Sequence, residues 1–388
     1  MMWVNFGPYH LARLSALRDV VDISAIEFAS AQTQSGWKPQ RATHSMAITT
    51  LSEGAYENQN TLNLCVAAWK AMSRIAPRVA LVPGYSEGPA ITAALWCLAH
   101  GATAVLMSDS TRPDWPRRRW REWLKRFLVR TLFKYALVAG KRSREYASIL
   151  GVPAARAFRY YDVVDNDYFA AGTRALRLRQ SAARYHLPQN YFLFVGRLIW
   201  EKNVSGLIES YAAYRKAGGH WELVLVGDGP LRTELMAAAE QCGQEATIHF
   251  KGFKNGDELL PYFAFAGCLI APSAKDTWGL VVNEAMASGL PVLVSRNCGC
   301  SDDLVVEGEN GSVFDPQDRG RLTALMAEMA SCGDAERSRR GMRSLAIISE
   351  FSPSAFASEV KRILDLEAGR LPHPLSAETE TEVGRQPH

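Results

Sequence analysis

The chain has 388 residues, of which 47% are hydrophobic and 22% charged, a composition typical of a globular protein with enough length for two domains. Its net charge of +4 is modest and no nucleic-acid-binding motif accompanies the basic residues, which argues against a nucleic-acid partner. No apolar run is as long as a membrane span and the N-terminus is unlike a signal peptide, so we expect a cytoplasmic chain, free or at the inner face of the membrane.

Short apolar runs alternate with helical patterns along the first half of the chain, an order typical of parallel sheets with right-handed crossovers. These runs are DISAIEFAS, SMAITTL, RVALVPG, TAVLMSD and YALVAG. Ligands of open parallel sheets bind beyond the carboxyl ends of the strands. The loops NFGPYH, PGYSEGP and MSDSTRP are therefore the candidate ligand loops of this half.

Residues 115–134, WPRRRWREWLKRFLVRTLFK, form a basic segment with helical periodicity. One set of its residues is apolar at helical spacing and another set is basic: Trp120, Leu124, Phe127, Leu128 and Leu132 against Arg117, Arg118, Arg121, Lys125 and Arg126. Such a helix can rest on an anionic membrane surface or meet an anionic acceptor, and we favour these two interpretations. The alternative is a helix that buries its apolar stripe in the first domain and leaves a solvated basic face.

A second series of apolar runs predicts a second parallel sheet. It comprises YFLFVGR, WELVLVG, ATIHFKG, GCLIAPS and PVLVS. Between the two series lies a basic helical stretch, RALRLRQSAARYHL, and we place the domain boundary there. The predicted domains are residues 1–175 and 176–345.

The segment FVGRLIWEKN carries two cations just beyond an apolar strand. Arg197 and Lys202 stand at the carboxyl end of that strand, where a guanidinium and an ammonium can face phosphate oxygens. The segment therefore predicts half of an anion-binding site.

The segment APSAKDTWGLVVNEAMASGL, residues 271–290, places Asp276 and Glu284 around the start of a predicted helix over residues 280–287. The first-turn amide groups of that helix, beginning at Gly279, lack partners within it and favour a phosphate. Glu284 lies about 7 Å further along the axis, where it can accept hydrogen bonds from hydroxyls attached to the phosphate. Taken alone, the pair is more typical of a solvated helix with two ordinary acids.

The seven cysteines are an odd number, and several lie in apolar patterns, which predicts buried free thiols in a reducing compartment. The pair in NCGC is too closely spaced for a structural zinc site, and no second pair stands at a suitable distance. We interpret NCGC as a turn and expect neither a metal nor a cofactor.

Five motifs in the second half resemble, in order and spacing, those of retaining glycosyltransferases of family 4. They are VGRLIWEKN, LVLVGDGPLR, HFKGF, the segment with Asp276 and Glu284, and ENGSVFDP. The resemblance covers residues 190–320 strongly and the N-terminal half weakly. It implies an α/β chain of GT-B fold, two Rossmann-like domains with parallel sheets facing a central cleft, and a nucleotide diphosphate sugar held mainly by the second domain.

The resemblance implies that this chain transfers a hexose to a hydroxyl acceptor without a metal. Arg197, Lys202 and the amide groups from Gly279 onward would stabilise the leaving diphosphate, Glu284 would bind the ribose, and Asp276 the hexose. The base would lie near GFKN. The donor-binding candidates are Gly7, Arg197, Lys202, Gly252, Phe253, Lys254, Asp276, Thr277, Trp278, Gly279, Leu280, Val281 and Glu284.

The first domain would supply the acceptor side. Gly7 can admit a diphosphate close to the backbone, although a plain strand-to-helix turn explains it equally well. Asp109 can bond the hexose or accept a proton, or it can simply cap a helix. The acceptor-side candidates are His10, Tyr85, Ser86, Glu87 and Asp109. With Asp276, Arg197 and Lys202, Asp109 completes the catalytic candidates.

Two departures from the family pattern bear on the chemistry. Asp276 stands where glutamate is commoner, and the segment VLMSDST lacks the histidine that many members carry near the anomeric carbon. His10 is the other histidine in the candidate loops, at the start of a helix where a structural role is commoner.

The C-terminal residues predict a helix and a tail. FSPSAFASEVKRILDLEAG has the serine cap and apolar spacing of a helix. By resemblance, residues 346–370 would pack back on the first domain. Residues 371–388 are polar and proline-containing, which predicts disorder.

The resemblance favours a UDP sugar, the commonest donor of the family, over a GDP sugar, and it leaves the acceptor open. An acceptor that is lipid-linked or anionic, in surface polysaccharide, lipopolysaccharide or glycolipid assembly, would suit a basic peripheral enzyme. Tailoring of a small metabolite would need no basic face. Two rival hypotheses are a sugar-nucleotide epimerase of the same architecture and a non-catalytic sugar-nucleotide sensor.

Overall fold

A computed structural model describes residues 1–32, 47–112 and 119–371. The chain divides into two compact units. Unit 1 comprises Met1–Val163 and Pro353–His388, and unit 2 comprises Val164–Ser352. Each unit is built on parallel strands.

Unit 1 contains two parallel ladders, of hydrogen-bonded order β1-β2-β3 and β4-β5-β6-β7, and β1 lies against β4. The strands are β1 (Met2–Trp3), β2 (Ala25–Glu27), β3 (Ile48–Thr50), β4 (Val79–Pro83), β5 (Thr103–Ser108), β6 (Tyr135–Val138) and β7 (Ala157–Phe158). The inner residues of β5 and all of β6 are buried, as expected for apolar strands covered on both faces. All five strand runs predicted for this half contain a strand.

Helices alternate with the strands of unit 1. They are α1 (Pro8–Arg18), α2 (Thr61–Ile75), α3 (Gly88–His100), α4 (Arg119–Leu132) and α5 (Lys141–Leu150). Asn60 begins α2 by accepting hydrogen bonds from the amides of Leu62 and Asn63 at 2.9 and 3.2 Å. Gly101, at φ 67°, ends α3 in the left-handed conformation that glycine adopts readily.

Unit 2 holds a single six-stranded parallel sheet of order β10-β9-β8-β11-β12-β13. Its strands are β8 (Tyr191–Val195), β9 (Glu222–Val226), β10 (Ile248–Phe250), β11 (Cys268–Ala271), β12 (Val292–Ser295) and β13 (Gly311–Phe314). The strand order reverses between β8 and β11, as in a Rossmann sheet. Ligands of such sheets bind beyond the carboxyl ends of these two strands.

The helices of unit 2 cover both faces of this sheet. They are α6 (Asn166–Arg179), α7 (Val204–Lys216), α8 (Arg232–Gln241), α9 (Leu260–Phe265), α10 (Leu280–Ala287), α11 (Ser301–Leu304), α12 (Arg319–Ser331) and α13 (Asp334–Ile348). The bounds of α10 are the predicted ones, since glycines at 279 and 289, both at positive φ, flank it. A core that includes Phe192, Leu225 and Ile270 fills one side of the sheet.

The boundary between the units lies at Val163/Val164, so the predicted boundary at 175/176 falls inside α6. Helix α6 packs against α9 and α10, and the Asn166 amide donates hydrogen bonds to the carbonyls of Ile348 and Phe351. These contacts hold α6 in unit 2. The apolar spacing of α6 could not indicate which sheet its buried face would meet.

The last helix, α14 (Pro353–Glu367), belongs to unit 1, where it packs against α1. Residues 346–352, predicted with this helix, belong to unit 2, because α13 continues to Ile348. The predicted tail lies outside the described residues from position 372 onward. None of the described helices is both long and apolar enough to traverse a bilayer.

Helix α4 carries the basic segment, and its apolar residues divide between two faces. Val129 and Leu132 are buried, whereas Trp120, Leu124 and Phe127 are exposed. The alternative that the helix buries its whole apolar stripe in the first domain is therefore wrong for Trp120, Leu124 and Phe127. Arg117 and Arg118 lie outside the described residues.

All seven cysteines are free thiols in the structure. Cys97, Cys268, Cys298 and Cys300 are buried, which agrees with their apolar sequence context. Burial raises the pKa of the Cys97 thiol to about 11.

Candidate functional site

Backbone hydrogen bonds join the loops at the carboxyl ends of β8, β9 and β10. The amide of Gly196 donates to the Val226 carbonyl at 3.0 Å, and that of Gly227 donates to the Gly252 carbonyl at 2.9 Å. A Cβ at Gly227 would lie 1.8 Å from the Gly196 oxygen, so only glycine fits there. The GDGP turn thus forms a rigid support for the loop that carries Arg197.

Arg197 follows β8 by two residues and its side chain is exposed. Within the described residues the guanidinium has no hydrogen bond or ion pair. An unpaired guanidinium at the strand-order reversal of a Rossmann sheet is available to a phosphate ligand.

Lys202 and Asp276 are brought together from either side of the strand-order reversal. Lys202 ends a short 3₁₀ turn (Trp200–Lys202) after β8, and Asp276 follows β11. Lys202 Nζ lies 2.5 Å from Asp276 Oδ2, and the Ser273 hydroxyl is 3.5 Å from the same oxygen. The sequence predicted contacts with separate parts of the ligand for these residues, whereas here they form an ion pair.

Asn203 was not among the predicted residues, yet it fixes the loop behind Lys202. Its φ of 51° is left-handed, a conformation that asparagine tolerates better than most residues. Its side-chain amide donates to the carbonyls of Pro272 and Pro316, each at 3.1 Å. One side chain therefore ties the loop after β8 to those after β11 and β13. The EKN sequence carries no signal for these two long-range bonds.

The N-terminus of α10 presents free backbone donors beside Asp276. Gly279 is its N-cap at φ 98°, and no side chain caps the helix. Within the described part of unit 2, the amides of Gly279, Leu280 and Val281 have no hydrogen-bond acceptor. Uncapped amides and the dipole at a helix N-terminus favour an anion, so the phosphate expected here stays a prediction.

Glu284 lies one turn into α10 and is only 3% exposed. The pKa of Tyr168 is raised mainly by burial and next by its hydrogen bond to Asp257. The negative charge of Glu284 raises the pKa of Tyr168 further. A carboxylate at this position is a strong acceptor for ligand hydroxyls.

The NCGC turn does more than reverse the chain. The amide of Gly299 donates to the Asp276 carbonyl, and that of Cys300 to the Trp278 carbonyl, both at 3.0 Å. A Cβ at Gly299 would lie 1.8 Å from the Thr277 oxygen. The turn therefore clamps the backbone of residues 276–278 in front of α10, a role that its sequence did not reveal.

Trp278 is a core residue. It is 2% exposed, its indole N–H donates to the Asn283 side chain at 2.9 Å, and its ring lies 6.2 Å from Phe351. Its predicted part in donor binding is therefore limited to the backbone.

The predicted base-binding loop lies next to a groove of about 590 Å³ in unit 2. Lys254 lines this groove, whose other residues come mainly from α6 and α9 and their flanking turns, and Arg197, Asp276 and Glu284 do not line it. Phe253 is half-exposed, and Gly252 has a positive φ of 70°.

In unit 1, His10 completes the first turn of α1. Its Nδ1 accepts from the Gly7 amide at 3.1 Å and its ring lies 4.3 Å from Trp3. Burial, followed by the charge of Arg13, lowers the pKa of His10 well below its usual value. Gly7 has an extended backbone, at φ −91°, that any residue can adopt. Both residues therefore serve the helix start.

The other acceptor-side candidates lie at the ends of β4 and β5. Glu87 precedes α3 and accepts a hydrogen bond from the Tyr56 hydroxyl, while Tyr85 packs partly on the core. Ser86 follows Tyr85 in the same loop. The Asp109 carbonyl accepts a hydrogen bond from Ser143 at 2.9 Å.

The described residues contain no group of three His, Cys, Asp or Glu side chains arranged to hold a metal ion. The free donors found at the carboxyl edge of the unit 2 sheet are the Arg197 guanidinium and the backbone amides at the start of α10. Their chemistry is that of anion binding.

Residues 180–344, less than half of the chain, match the family "Glycosyl transferases group 1". The chain is 26% identical to alpha-D-kanosaminyltransferase of Streptomyces kanamyceticus, over half of each chain. It is 27% identical to the GDP-mannose-dependent alpha-(1-6)-phosphatidylinositol dimannoside mannosyltransferase of Mycobacterium tuberculosis, over 57% of each. The chain spans about half the length of these curated relatives.

Its fold is similar to that of HepE from Anabaena, solved in complex with UDP. The TM-score is 0.67 at 17% identity, over 82% of this chain and 86% of that one. The likeness at this identity concerns the fold alone. The chain has a GT-B fold, as the sequence predicted.

Proposed function

We propose that the chain is a glycosyltransferase that moves a hexose from a nucleotide diphosphate sugar to a hydroxyl acceptor. The observation that carries this proposal is the arrangement of Arg197 and the free amides of α10 on either side of the strand-order reversal. A diphosphate carries the charge that these donors fit. The family matched by residues 180–344 supports the same reaction class.

The chemistry follows from where negative charge grows during transfer. As the bond between the anomeric carbon and the diphosphate oxygen lengthens, charge accumulates on the diphosphate. The Arg197 guanidinium and the amides of Gly279, Leu280 and Val281 would stabilise it without reorganising. In this proposal the charged and backbone donors take the role that a metal ion would otherwise have.

Once the donor binds, Lys202 and Asp276 would each contact a different part of it. Lys202 would turn an N–H toward the diphosphate, and Asp276 would accept hydrogen bonds from hexose hydroxyls. The hydrogen bonds from the NCGC turn to residues 276–278 keep Asp276 close to the N-terminus of α10. Glu284 would hold the ribose.

A UDP sugar is the proposed donor and retention the proposed stereochemistry. The bound UDP of the Anabaena neighbour supports UDP, whereas the mycobacterial relative is named for GDP-mannose. For the acceptor we propose a lipid-linked or anionic molecule of surface polysaccharide, lipopolysaccharide or glycolipid assembly. The relative named for phosphatidylinositol dimannoside supports a lipid acceptor.

Slow donor hydrolysis tests the reaction without knowledge of the acceptor. The purified chain would be incubated with UDP and GDP hexoses in turn, and release of nucleoside diphosphate measured. Hydrolysis of at least one donor is expected, and it should fall in the Arg197→Ala chain. The control is Arg174→Ala, an exposed arginine of α6 without a partner in the described residues.

The same assay separates the rival activities. A sugar-nucleotide epimerase would incorporate solvent deuterium into the donor sugar and release no nucleoside diphosphate. A sensor would bind a donor without turnover. Either result would contradict the transferase proposal.

A further inference from the structure

Helix α4 exposes an apolar face on the side opposite its buried one. At about 100° per residue, Trp120, Trp123, Leu124 and Phe127 fall within an arc of about 100°. All four are exposed, Trp123 at 68%, whereas Val129 on the far side of the helix is fully buried. The helix is thus anchored to unit 1 by one face and presents a second apolar face to solvent.

The exposed rings form an ordered cluster. Trp123 and Phe127 are stacked, with their ring centroids 6.0 Å apart. The Arg121 guanidinium lies 5.3 Å from the centroid of the Trp120 ring. Leaving several large aromatic side chains in water is costly, and contiguous apolar patches typically mark interaction sites.

Neighbouring helices of the same layer also expose apolar side chains. Helices α3 and α4 follow successive right-handed crossovers in the order β4-β5-β6, so both cover the same face of the sheet, and α2 packs against α3. Exposed apolar side chains on α2 and α3 are Leu62, Val66, Trp69, Leu95 and Leu98. Nine of the nineteen large apolar side chains exposed in the described residues therefore lie on these three helices.

The charge on this layer is almost entirely positive. The sequences of α2, α3 and α4 contain seven Lys or Arg residues and one acid, Glu122. Glu122 is held by Lys125 at 3.0 Å and by the Tyr146 hydroxyl of α5 at 3.0 Å. Arg126 and Arg130 flank one edge of the aromatic arc, and Arg121 flanks the other.

We propose that the surface formed by Trp120, Trp123, Leu124 and Phe127, with Arg121, Arg126 and Arg130, docks on an anionic lipid membrane. Indole and phenyl rings insert at the level of the head groups, and arginines at the edges of the arc meet anionic phosphates. The charge also argues against a second copy of the chain as the occupant, because a symmetric contact would place the arginines against one another. This inference goes beyond the transferase proposal and does not depend on it.

Co-sedimentation of the full chain with lipid vesicles tests the surface. The vesicles would be phosphatidylcholine alone or with about a third phosphatidylglycerol. Stronger binding to the anionic vesicles is expected, weakening as salt is raised. The double variant Trp123→Ser/Phe127→Ser should bind at least about tenfold more weakly, and Arg126→Gln about fivefold, on anionic vesicles only.

Two further variants separate docking from a loss of folding. Leu178→Ser/Met342→Ser removes exposed apolar side chains of α6 and α13 and should bind like the unaltered chain. Trp123→Phe keeps an aromatic ring and should retain most of the binding. Thermal unfolding of every variant should match that of the unaltered chain, because the changed residues are exposed.

Four results would overturn the proposal. They are absence of binding to anionic vesicles, equal binding to both kinds of vesicle, unchanged binding by the serine double variant, and a dimer in sedimentation velocity that this variant dissociates. None of them bears on nucleotide-sugar hydrolysis. The transferase proposal is therefore tested separately, by the hydrolysis assay.

Discussion

The ammonium nitrogen of Lys202 lies 2.5 Å from Oδ2 of Asp276, although 74 residues separate the two along the chain. The pair joins the loop after β8 to the loop after β11, across the reversal of strand order in unit 2. Both side chains are largely shielded, at 21% and 14% exposure. Each charge is thus partly desolvated and depends on the other.

Removing one partner of this pair should destabilise unit 2. We expect Lys202→Met to lower the free energy of unfolding by about 1–2 kcal/mol, because Asp276 would keep a poorly solvated charge. Asp276→Asn should cost a similar amount. The double variant should lose clearly less free energy of unfolding than the two single variants lose together. Urea unfolding at neutral pH measures all three. Strict additivity would show that the pair is not coupled.

Asn203 should matter for its amide as well as for its backbone conformation. Asn203→Gly keeps the left-handed φ but removes the bonds to Pro272 and Pro316, at a cost of about 2 kcal/mol. Asn203→Ala should cost about 1 kcal/mol more, because alanine disfavours that backbone conformation. Urea unfolding measures both. An Asn203→Gly chain as stable as the unaltered one would contradict the positioning role.

Gly279 should be irreplaceable at the start of α10. At φ 98°, alanine would strain the backbone, and we expect Gly279→Ala to cost about 1–2 kcal/mol in the free energy of unfolding and to weaken nucleotide binding. Gly333→Ala, at the N-cap of α13, is the matched control. A Cβ meets nothing within 4 Å there and φ is −64°, so little change is expected. Equal losses in the two variants would argue against backbone strain.

His10 should make the stability of the chain depend on pH. Its pKa is lowered on folding, so the unfolded chain binds the proton more tightly and stability is lost as pH falls below the unfolded pKa of about 6.5. The free energy of unfolding should change with pH by at most about 1.4 kcal/mol per pH unit because of this residue. Between pH 7.5 and 5.5, His10→Asn should flatten the fall in melting temperature. The exposed His220→Gln should leave the fall unchanged.

The sequence predicted the elements of unit 2 better than the contacts between its loops. Apolar runs with turn residues at their ends are local signals, and they defined the strand β11 and the helix α10. The position of Arg197 beyond β8 followed from the same rule. Those signals sufficed for the fold class and for the position of the uncapped N-terminus of α10.

What the sequence could not predict depends on contacts distant along the chain. Nothing local distinguishes a lysine that faces a ligand from one that pairs with Asp276, and nothing near Asn203 or Cys300 indicates which carbonyls they bond. Trp278 shows the converse, since the side chain of this predicted donor-binding residue packs in the core. The same limit applied to α4, where periodicity grouped residues that the fold places on two faces.

The carboxyl edge of the unit 2 sheet should bind the diphosphate of a nucleotide, and calorimetric titration measures this binding without any acceptor. UDP and GDP would be titrated into the unaltered, Arg197→Ala and Arg174→Ala chains. We predict that Arg197→Ala raises the Kd of the preferred nucleotide about 10- to 100-fold, the worth of one charge-assisted hydrogen bond, while Arg174→Ala leaves it unchanged. A folded Arg197→Ala chain that binds the nucleotide as tightly as the unaltered chain would contradict the diphosphate site.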